Sequence, residues 1–167
     1  VRADILRRHG QLNESIADYD KIIRQNPKDG IFYLLRGGTK SMAGDHAGAL
    51  VDFEAALENG AAPYRVYLHR GLDRLWSNDT STALQEYNAA LEDKPDFGLA
   101  WYNIGWIKQC QADYEGAKTY YDKAIELEDS NELAFKNRGL CRHKLGDAEG
   151  GCADLRRAVA LKDPDAP

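Results

Sequence analysis

The stretch from Trp101 to Ala124 reads WYNIGWIKQCQADYEGAKTYYDKA, and its aromatic, glycine and alanine residues stand at spacings that recur along the chain. Its first glycine, Gly105, belongs to a column of glycines that are each 34 residues apart. The other members of this column are Gly37, Gly71 and Gly139. A fixed interval of this length predicts an array of equal structural units.

Further columns keep the same interval. They are the small residues Ala49, Ala83, Ala117 and Gly151, the large residues Tyr19, Phe53, Tyr87, Tyr121 and Leu155, the alanines Ala56, Ala90, Ala124 and Ala158, and the aromatic residues Tyr33, Tyr67, Trp101 and Phe135. Ala49, Phe53 and Ala56 follow each other by four and then three residues, which places them on one helix face. Small residues let two antiparallel helices approach closely, and the aromatic residues, Trp101 among them, are expected to fill the core.

The pattern predicts ten helices, two in each unit. Their predicted ranges are 2–9, 13–25, 31–43, 47–59, 64–77, 81–93, 98–111, 115–127, 132–145 and 149–161. Gly44, Asn78 and Gly146 are expected to end first helices in the left-handed conformation, and the aspartate after each is expected to cap the second helix. Ala112 replaces the glycine in one turn, which we expect to be slightly strained or differently shaped.

These columns resemble the tetratricopeptide repeat, in which an aromatic residue, a small residue, an alanine, an aromatic residue, an alanine and a proline recur over 34 residues. The resemblance implies an all-α fold, a right-handed superhelical solenoid of antiparallel helical hairpins. It implies one solenoid over residues 1–167, with a truncated repeat at 1–29 and full repeats at 30–63, 64–97, 98–131 and 132–165.

The resemblance also implies a function, that of a scaffold or adaptor that binds a peptide or protein segment in a concave groove and has no catalytic activity. Two alternatives stay open. The chain could be a non-catalytic helper module of a larger enzyme, or a self-assembly module whose end repeats stack between copies.

The first helices of such hairpins line the groove, so the resemblance implies a set of binding residues. They are Leu34, Arg65, Leu68, Leu72, Trp76, Leu99, Tyr102, Trp106, Gln109, Lys136 and Leu140, with Gly38, Ser41, Met42 and His143 as neighbours. Two interpretations of Trp76, Tyr102 and Trp106 stay open: they are exposed anchors for a peptide, or they pack against neighbouring helices.

One branch of the family grips the terminal carboxylates of chaperone tails with a clamp of lysine, arginine and asparagine across three repeats. Of the positions that would form this clamp in repeats three to five, only Asn103 carries the required type of residue. A chaperone-tail clamp is therefore not expected here.

The residue before each column glycine varies together with the residue sixteen positions later. Arg36 accompanies Asp52, Arg70 accompanies Glu86, and Arg138 accompanies Asp154, whereas Ile104 accompanies Tyr120. A joint change in one repeat predicts that the two positions touch within a hairpin. We expect structural arginine–carboxylate pairs at the surface, each contributing about 0–1 kcal/mol, with a role of the arginines in binding as the alternative.

Composition excludes several classes of function. The net charge of −5 argues against nucleic-acid binding, and no apolar run is long enough to cross a bilayer. The four histidines lack a second ligand at metal-binding spacing, so no metal or cofactor is predicted. The cysteines Cys110, Cys141 and Cys152 are expected to be buried free thiols, with a Cys141–Cys152 disulfide as the alternative. The chain begins with Val1, which leaves open whether it is cytoplasmic or exported after removal of a leader.

Overall fold

The computed structural model describes residues 2–162, and every regular element in that range is an α-helix. The helices are α1 (Arg2–Arg8), α2 (Leu12–Gln25), α3 (Gly30–Met42), α4 (His46–Glu58), α5 (Pro63–Trp76), α6 (Thr80–Asp93), α7 (Gly98–Cys110), α8 (Tyr114–Leu127), α9 (Glu132–Lys144) and α10 (Ala148–Lys162). All ten predicted helices are present, and their ends lie within one residue of the predicted ones.

The chain divides into two compact units, residues 1–93 (unit 1) and 94–167 (unit 2). In unit 1, α1 packs on α2, α3 on α4 and α5 on α6; in unit 2, α7 packs on α8 and α9 on α10. Short turns join the two helices of each pair, which makes them antiparallel hairpins. We call the odd-numbered helices first helices and the even-numbered helices second helices.

The columns on the second helices form the core of each unit. Tyr19, Phe53, Tyr87 and Tyr121 are all completely buried, as are the alanines on either side of the last three. The glycine column explains how such large rings fit, because a Cβ on Gly37 would lie 2.7 Å from the Phe53 ring. The hairpins therefore close only where the first helix has no side chain opposite the ring.

In the last hairpin, different residue types form the contact between the two helices. Its second helix has Gly151 in place of alanine and Leu155 in place of the aromatic residue. A Cβ on Gly151 would lie 2.8 Å from the backbone oxygen of Gly139, so the two backbones meet directly. Glycine on both helices allows this closer approach.

The turns inside the hairpins follow the prediction. Gly44, Asn78 and Gly146 have positive φ angles of 84°, 60° and 89°. Ala112 also has φ of 60°, so its turn keeps the common shape and the strain falls on an L-residue held in the left-handed region. That conformation costs roughly 1–2 kcal/mol for a residue with a Cβ.

The capping aspartates are also as predicted. Asp45, Asp113 and Asp147 each accept a hydrogen bond from the backbone N–H three residues later, and Asp79 does the same with Thr82. These bonds satisfy donors that the first turn of a helix leaves unpaired.

The aromatic column on the first helices is not fully buried, contrary to the expectation for Trp101. Its indole is half-buried, and its Nε1 donates a hydrogen bond of 2.8 Å to the carbonyl oxygen of Pro95. Tyr33 donates in the same way to the carbonyl oxygen of Pro27. Each ring therefore holds the loop that precedes its helix.

The predicted arginine–acid pairs are confirmed. Arg36 donates from Nε and Nη2 to the two carboxylate oxygens of Asp52 at 2.8 and 2.6 Å, and Arg138 binds Asp154 with the same geometry. In the third pair, Arg70 Nη2 lies 2.8 Å from Glu86 Oε1. The hydrogen bonds that Arg36 donates to Asp52 raise the pKa of Arg36 above its usual range.

The expectation that these pairs lie at the surface is wrong. Asp52 and Asp154 are only 1% and 4% exposed, and each carboxylate also meets a second cation, Lys40 at 3.0 Å or Arg142 at 3.1 Å. A carboxylate without water needs such partners, so the loss of one of them costs far more than at an exposed pair.

Each of the two bidentate arginines also holds an acid from the preceding hairpin. Arg36 Nη1 donates to Asp20 at 2.6 Å, and Arg138 Nη1 donates to Asp122 at 2.7 Å. Both acids stand sixteen residues before their arginine, as the other acid stands sixteen residues after it. One guanidinium thus joins two successive hairpins within its unit.

The three cysteines are free thiols, and their burial differs from the expectation. Cys141 is buried, which raises the pKa of its thiol to about 11, whereas Cys110 and Cys152 are exposed. Only Cys141 therefore acts as a small apolar core residue, in the cluster that contains Tyr121 and Ala134.

Candidate functional site

The residues predicted to line the groove in unit 1 separate into buried and exposed side chains. Leu34 is 1% exposed and packs with Phe53 and Val66 in the core, and Leu68 is 9% exposed. Neither leucine offers a surface to a ligand, so both predictions are corrected. Arg65 and Trp76 are exposed, and Trp76 keeps 50% of its surface.

A cavity of about 340 Å³ lies on the first helices of unit 1 and is called the unit 1 cavity below. Its lining residues are Arg7, Leu35, Gly38, Met42, His69, Leu72 and Trp76. Leu72, Trp76, Gly38 and Met42 belong to the predicted set. Arg7, Leu35 and His69 were missed, although Leu35 and His69 each directly follow a predicted residue that proves to be buried.

His69 is the titratable group most affected by this environment. Burial, together with the charges of Arg7 and Arg65, lowers the pKa of His69 to about 4. The ring packs on α3 at Gly38, where a Cβ would come within 3.1 Å of Nδ1, and its centroid lies 6.2 Å from that of Phe53. At neutral pH His69 is therefore an uncharged ring in a positively charged setting.

This lowered pKa predicts an acid-dependent loss of stability. Between pH 6.5 and about 4, the unfolded chain takes up a proton at His69 that the folded chain does not, so the free energy of unfolding falls by up to about 1.4 kcal/mol per pH unit. Urea unfolding at a series of pH values measures this slope. In His69→Asn, which introduces the residue found 34 and 68 positions later, the slope should be smaller by this amount. Equal slopes in the two proteins would contradict the prediction.

In unit 2, three predicted residues are exposed apolar side chains. Leu99, Trp106 and Leu140 keep 45%, 42% and 41% of their surface. Leu133, which the prediction missed, is 49% exposed and lies on α9, the helix that also carries Leu140. The first helices of unit 2 thus carry large apolar groups in contact with water.

Tyr102 and Gln109 are held by the fold. The Tyr102 ring lies 5.8 Å from the Tyr121 ring, and its oxygen accepts a hydrogen bond of 3.1 Å from Asn137. Gln109 accepts a hydrogen bond of 2.7 Å from the Tyr121 hydroxyl. Of the two interpretations left open, packing fits Tyr102, and exposure fits Trp76 and Trp106.

Lys136 is exposed and lines a different cavity, of about 660 Å³, between α9 and α10. The other lining residues are Glu132, Leu155, Ala158, Val159 and Lys162. Lys136 therefore lines a cavity with residues of α10, the second helix of the last hairpin. His143, a predicted neighbour, is exposed on α9.

Ser41 is 3% exposed and takes part in a polar cluster. Its hydroxyl donates to Oδ1 of Asp73, and Nδ1 of His46 lies 2.7 Å from the same oxygen. The three residue types match those of a hydrolytic triad, but the arrangement does not. A nucleophilic serine must bond to the histidine that takes its proton, whereas Ser41 bonds to the carboxylate. The cluster is a structural link between α3, α4 and α5.

Metal sites and membrane-spanning helices are absent from residues 2–162. No group of three or more histidine, cysteine, aspartate or glutamate side chains is arranged to hold a metal ion there. No helix in this range combines the length and the apolar content needed to cross a membrane.

Comparison with known families finds two models, both for the tetratricopeptide repeat. One matches residues 1–66 and the other residues 98–131, so that together they cover more than half of the chain. A comparison with curated protein sequences finds no match.

Several solved structures are similar to this one. MamA has a TM-score of 0.71 and 17% identity, over 97% of this chain and 95% of that one. YrrB, described as a TPR protein with an unusual peptide-binding site, has a TM-score of 0.62 and 20% identity, over 98% and 84%. The Cut9–Hcn1 hetero-tetramer of the APC/C has a TM-score of 0.77 and 16% identity, over 93% of this chain and 31% of that one. Such identities show the fold alone, and they confirm the predicted all-α hairpin-solenoid class.

Proposed function

The chain belongs to the tetratricopeptide repeat family, and from this premise we propose that it is a non-catalytic interaction scaffold that binds a peptide or protein segment in a groove lined by its first helices. The repeats proposed are those predicted from the sequence, 30–63, 64–97, 98–131 and 132–165, after a truncated one at 1–29. The proposed ligand is a segment with large apolar side chains.

The distribution of exposed apolar side chains carries this proposal. Among residues 2–162, ten large apolar side chains are exposed; seven lie on first helices and two on second helices. The seven are Ile5, Met42, Trp76, Leu99, Trp106, Leu133 and Leu140. Within each unit, exposed apolar groups concentrated on the first helices are typical of a binding surface, because burial on a partner removes them from water.

Trp106 is the residue on which the proposal is tested. Large aromatic side chains dominate binding energies at interfaces, and their truncation commonly costs 2 kcal/mol or more, roughly a 30-fold loss of affinity. We expect Trp106→Ala to weaken the capture of partners by at least this factor while the helical circular dichroism stays unchanged. Affinity capture from the native host, read by mass spectrometry and followed by titration of the captured partner, measures the effect.

The control for this experiment is Val51→Ala. Val51 is 64% exposed but lies on the second helix α4 and not on a first helix. Tyr102→Phe serves as a second variant, since it keeps the packed ring and removes only the hydroxyl that accepts from Asn137. Capture that survives Trp106→Ala unchanged, or that falls equally with Val51→Ala, would refute the proposed surface.

A further inference from the structure

The unit 1 cavity has an apolar side and a cationic side. Met42, Leu72 and Trp76 form the apolar side, and the first and last of these keep 43% and 50% of their surface. Arg7, next to the uncharged ring of His69, forms the cationic side, and no acidic residue is among the residues that line the cavity. An occupant that matches both sides needs a large apolar group next to a negative charge.

The cationic side has unused hydrogen-bonding capacity. Arg7 Nη2 lies 3.6 Å from the Asp4 carboxylate, but Arg7 Nε is buried and has no hydrogen-bond partner among residues 2–162. Within the same range, neither ring nitrogen of His69 has a hydrogen-bond partner. A buried donor without a partner costs about 1–3 kcal/mol, and a ligand with acceptor oxygens would recover part of that.

We propose that the unit 1 cavity binds an acidic side chain of a peptide segment, with its carboxylate between Arg7 and His69 and a neighbouring large apolar side chain against Met42, Leu72 and Trp76. This inference rests on the proposed function and names the chemistry of the segment. A chain terminus fits less well, because recognition of a terminal carboxylate uses backbone N–H groups or amide side chains as additional donors. The lining residues lie inside helices, where their N–H groups are already bonded, and none of them carries an amide side chain.

Binding of an acid at this place is coupled to a proton. Arg7 on α1 and Arg65 on α5 are the charged groups that act on His69. The neighbours from α3 and α4, Leu35, Gly38, Met42 and Phe53, do not titrate. A carboxylate beside the ring favours the imidazolium form, so the occupied cavity raises the pKa of His69 from its value of about 4. Affinity for an acidic segment therefore increases as the pH falls from 7 towards 5.

Three short peptides test the proposal on the full chain. The first is acetyl-Phe-Glu-amide, the second is its neutral match acetyl-Phe-Gln-amide, and the third is acetyl-Phe-Ala with a free carboxyl terminus. NMR titration of the histidine rings at each pH follows the protonation of His69, whose signal is assigned by its loss in His69→Gln. We expect the glutamate peptide to shift the Trp76 indole and to raise the titration midpoint of His69 by at least one pH unit. The glutamine peptide should leave the midpoint unchanged.

Variants separate the two sides of the cavity. Arg7→Gln should reduce affinity for the glutamate peptide about tenfold, to that of the glutamine peptide, because one charged partner of the carboxylate is lost. Trp76→Ala should weaken both peptides equally, and Val51→Ala should weaken neither.

The outcomes that overturn the inference are distinct from those that overturn the proposed function. Equal binding of the glutamate and glutamine peptides, with the His69 midpoint unmoved, excludes the acidic side chain and leaves an apolar peptide site intact. Binding of only the third peptide assigns the site to a chain terminus and also overturns the inference. Shifts confined to residues outside the unit 1 cavity, or no shift with any peptide, overturn it as well. The proposed function itself fails only through the capture experiment with Trp106→Ala.

Discussion

Gly30→Ala is expected to lower the free energy of unfolding by about 3 kcal/mol, an unusually large effect for the addition of one methyl group at the start of a helix. A Cβ on Gly30 would lie 2.7 Å from the backbone nitrogen of Ala61 and 2.9 Å from the backbone oxygen of Asn59, and it would overlap the carbonyl oxygen of Ala56. All three atoms belong to the backbone, so no side chain can rotate away. Overpacking of this kind costs about 1–3 kcal/mol, and here the cost is set by displacement of the α4–α5 connection.

Gly98 provides the matched control. It stands 68 residues later, which is two repeat lengths, at the first position of α7, as Gly30 does in α3. A Cβ on Gly98 would meet nothing closer than the Ala124 carbonyl oxygen at 3.7 Å, which is ordinary contact. Gly98→Ala is therefore expected to be neutral or to stabilise the chain by up to about 1 kcal/mol, because alanine favours the helix over glycine. Urea unfolding of both variants measures the difference, and equal effects would contradict this account.

Arg36→Ala is expected to destabilise the chain by about 3–5 kcal/mol, far more than a surface ion pair would contribute. The variant leaves the Asp52 carboxylate, which is 1% exposed, with Lys40 as its remaining ion-pair partner among the described residues. Asp20 also loses its partner, but its side chain is 43% exposed and water can replace the bond. The loss is therefore dominated by one buried carboxylate, and chemical unfolding measures it.

The combination of Arg36→Ile and Asp52→Tyr should recover most of that loss. It copies the pair Ile104 and Tyr120, in which Ile104 is 1% exposed and the Tyr120 ring lies 5.6 Å from the Trp101 ring. In the double variant Lys40 is expected to pair with Asp45. The equivalent residues two repeats later make this pair, with Lys108 at 3.3 Å from Asp113. A double variant as unstable as Arg36→Ala would show that the joint change in the fourth repeat does not reflect this contact.

The helices were predictable because the same 34-residue pattern marks each of them several times. An error in one column would conflict with the others, and the aspartate caps and left-handed turn residues set the ends independently. The orientation of Trp101 was not predictable in this way. Its column shows that a large ring is needed, but it does not show that the ring covers the Pro95 loop at the edge of the core.

The candidate site was less predictable because its residues were assigned by the resemblance and not by a pattern in this chain. Leu34 and Leu68 were expected to face a ligand, but their side chains turn into the core. Leu35 and His69, each one residue later, face the unit 1 cavity instead. Successive side chains on an α-helix are rotated by about 100° around its axis, so an error of one position moves a side chain from the surface to the core. Arg7 carries no signal that a single sequence could supply.

The second acid of each bidentate arginine was missed although the sequence contains a signal for it. Asp20 and Asp122 stand sixteen residues before Arg36 and Arg138, and Glu54 stands sixteen before Arg70. Sixteen residues before Ile104 stands Asn88, in the preceding repeat, so the three positions Asn88, Ile104 and Tyr120 lack charge together. The spacing of sixteen residues in both directions from the arginine is therefore the signal for this second acid.

An arginine shared between hairpins has a consequence for how the array melts. A repeat protein behaves as a row of units, each with its own stability and a coupling term to the next. Arg36 contributes to both, since it binds Asp52 in its own hairpin and Asp20 in the one before. The fourth repeat lacks this shared charge, and its first helix, α7, opens the second of the two compact units. Within each unit, Arg36 or Arg138 is therefore expected to make the two hairpins that it joins unfold together.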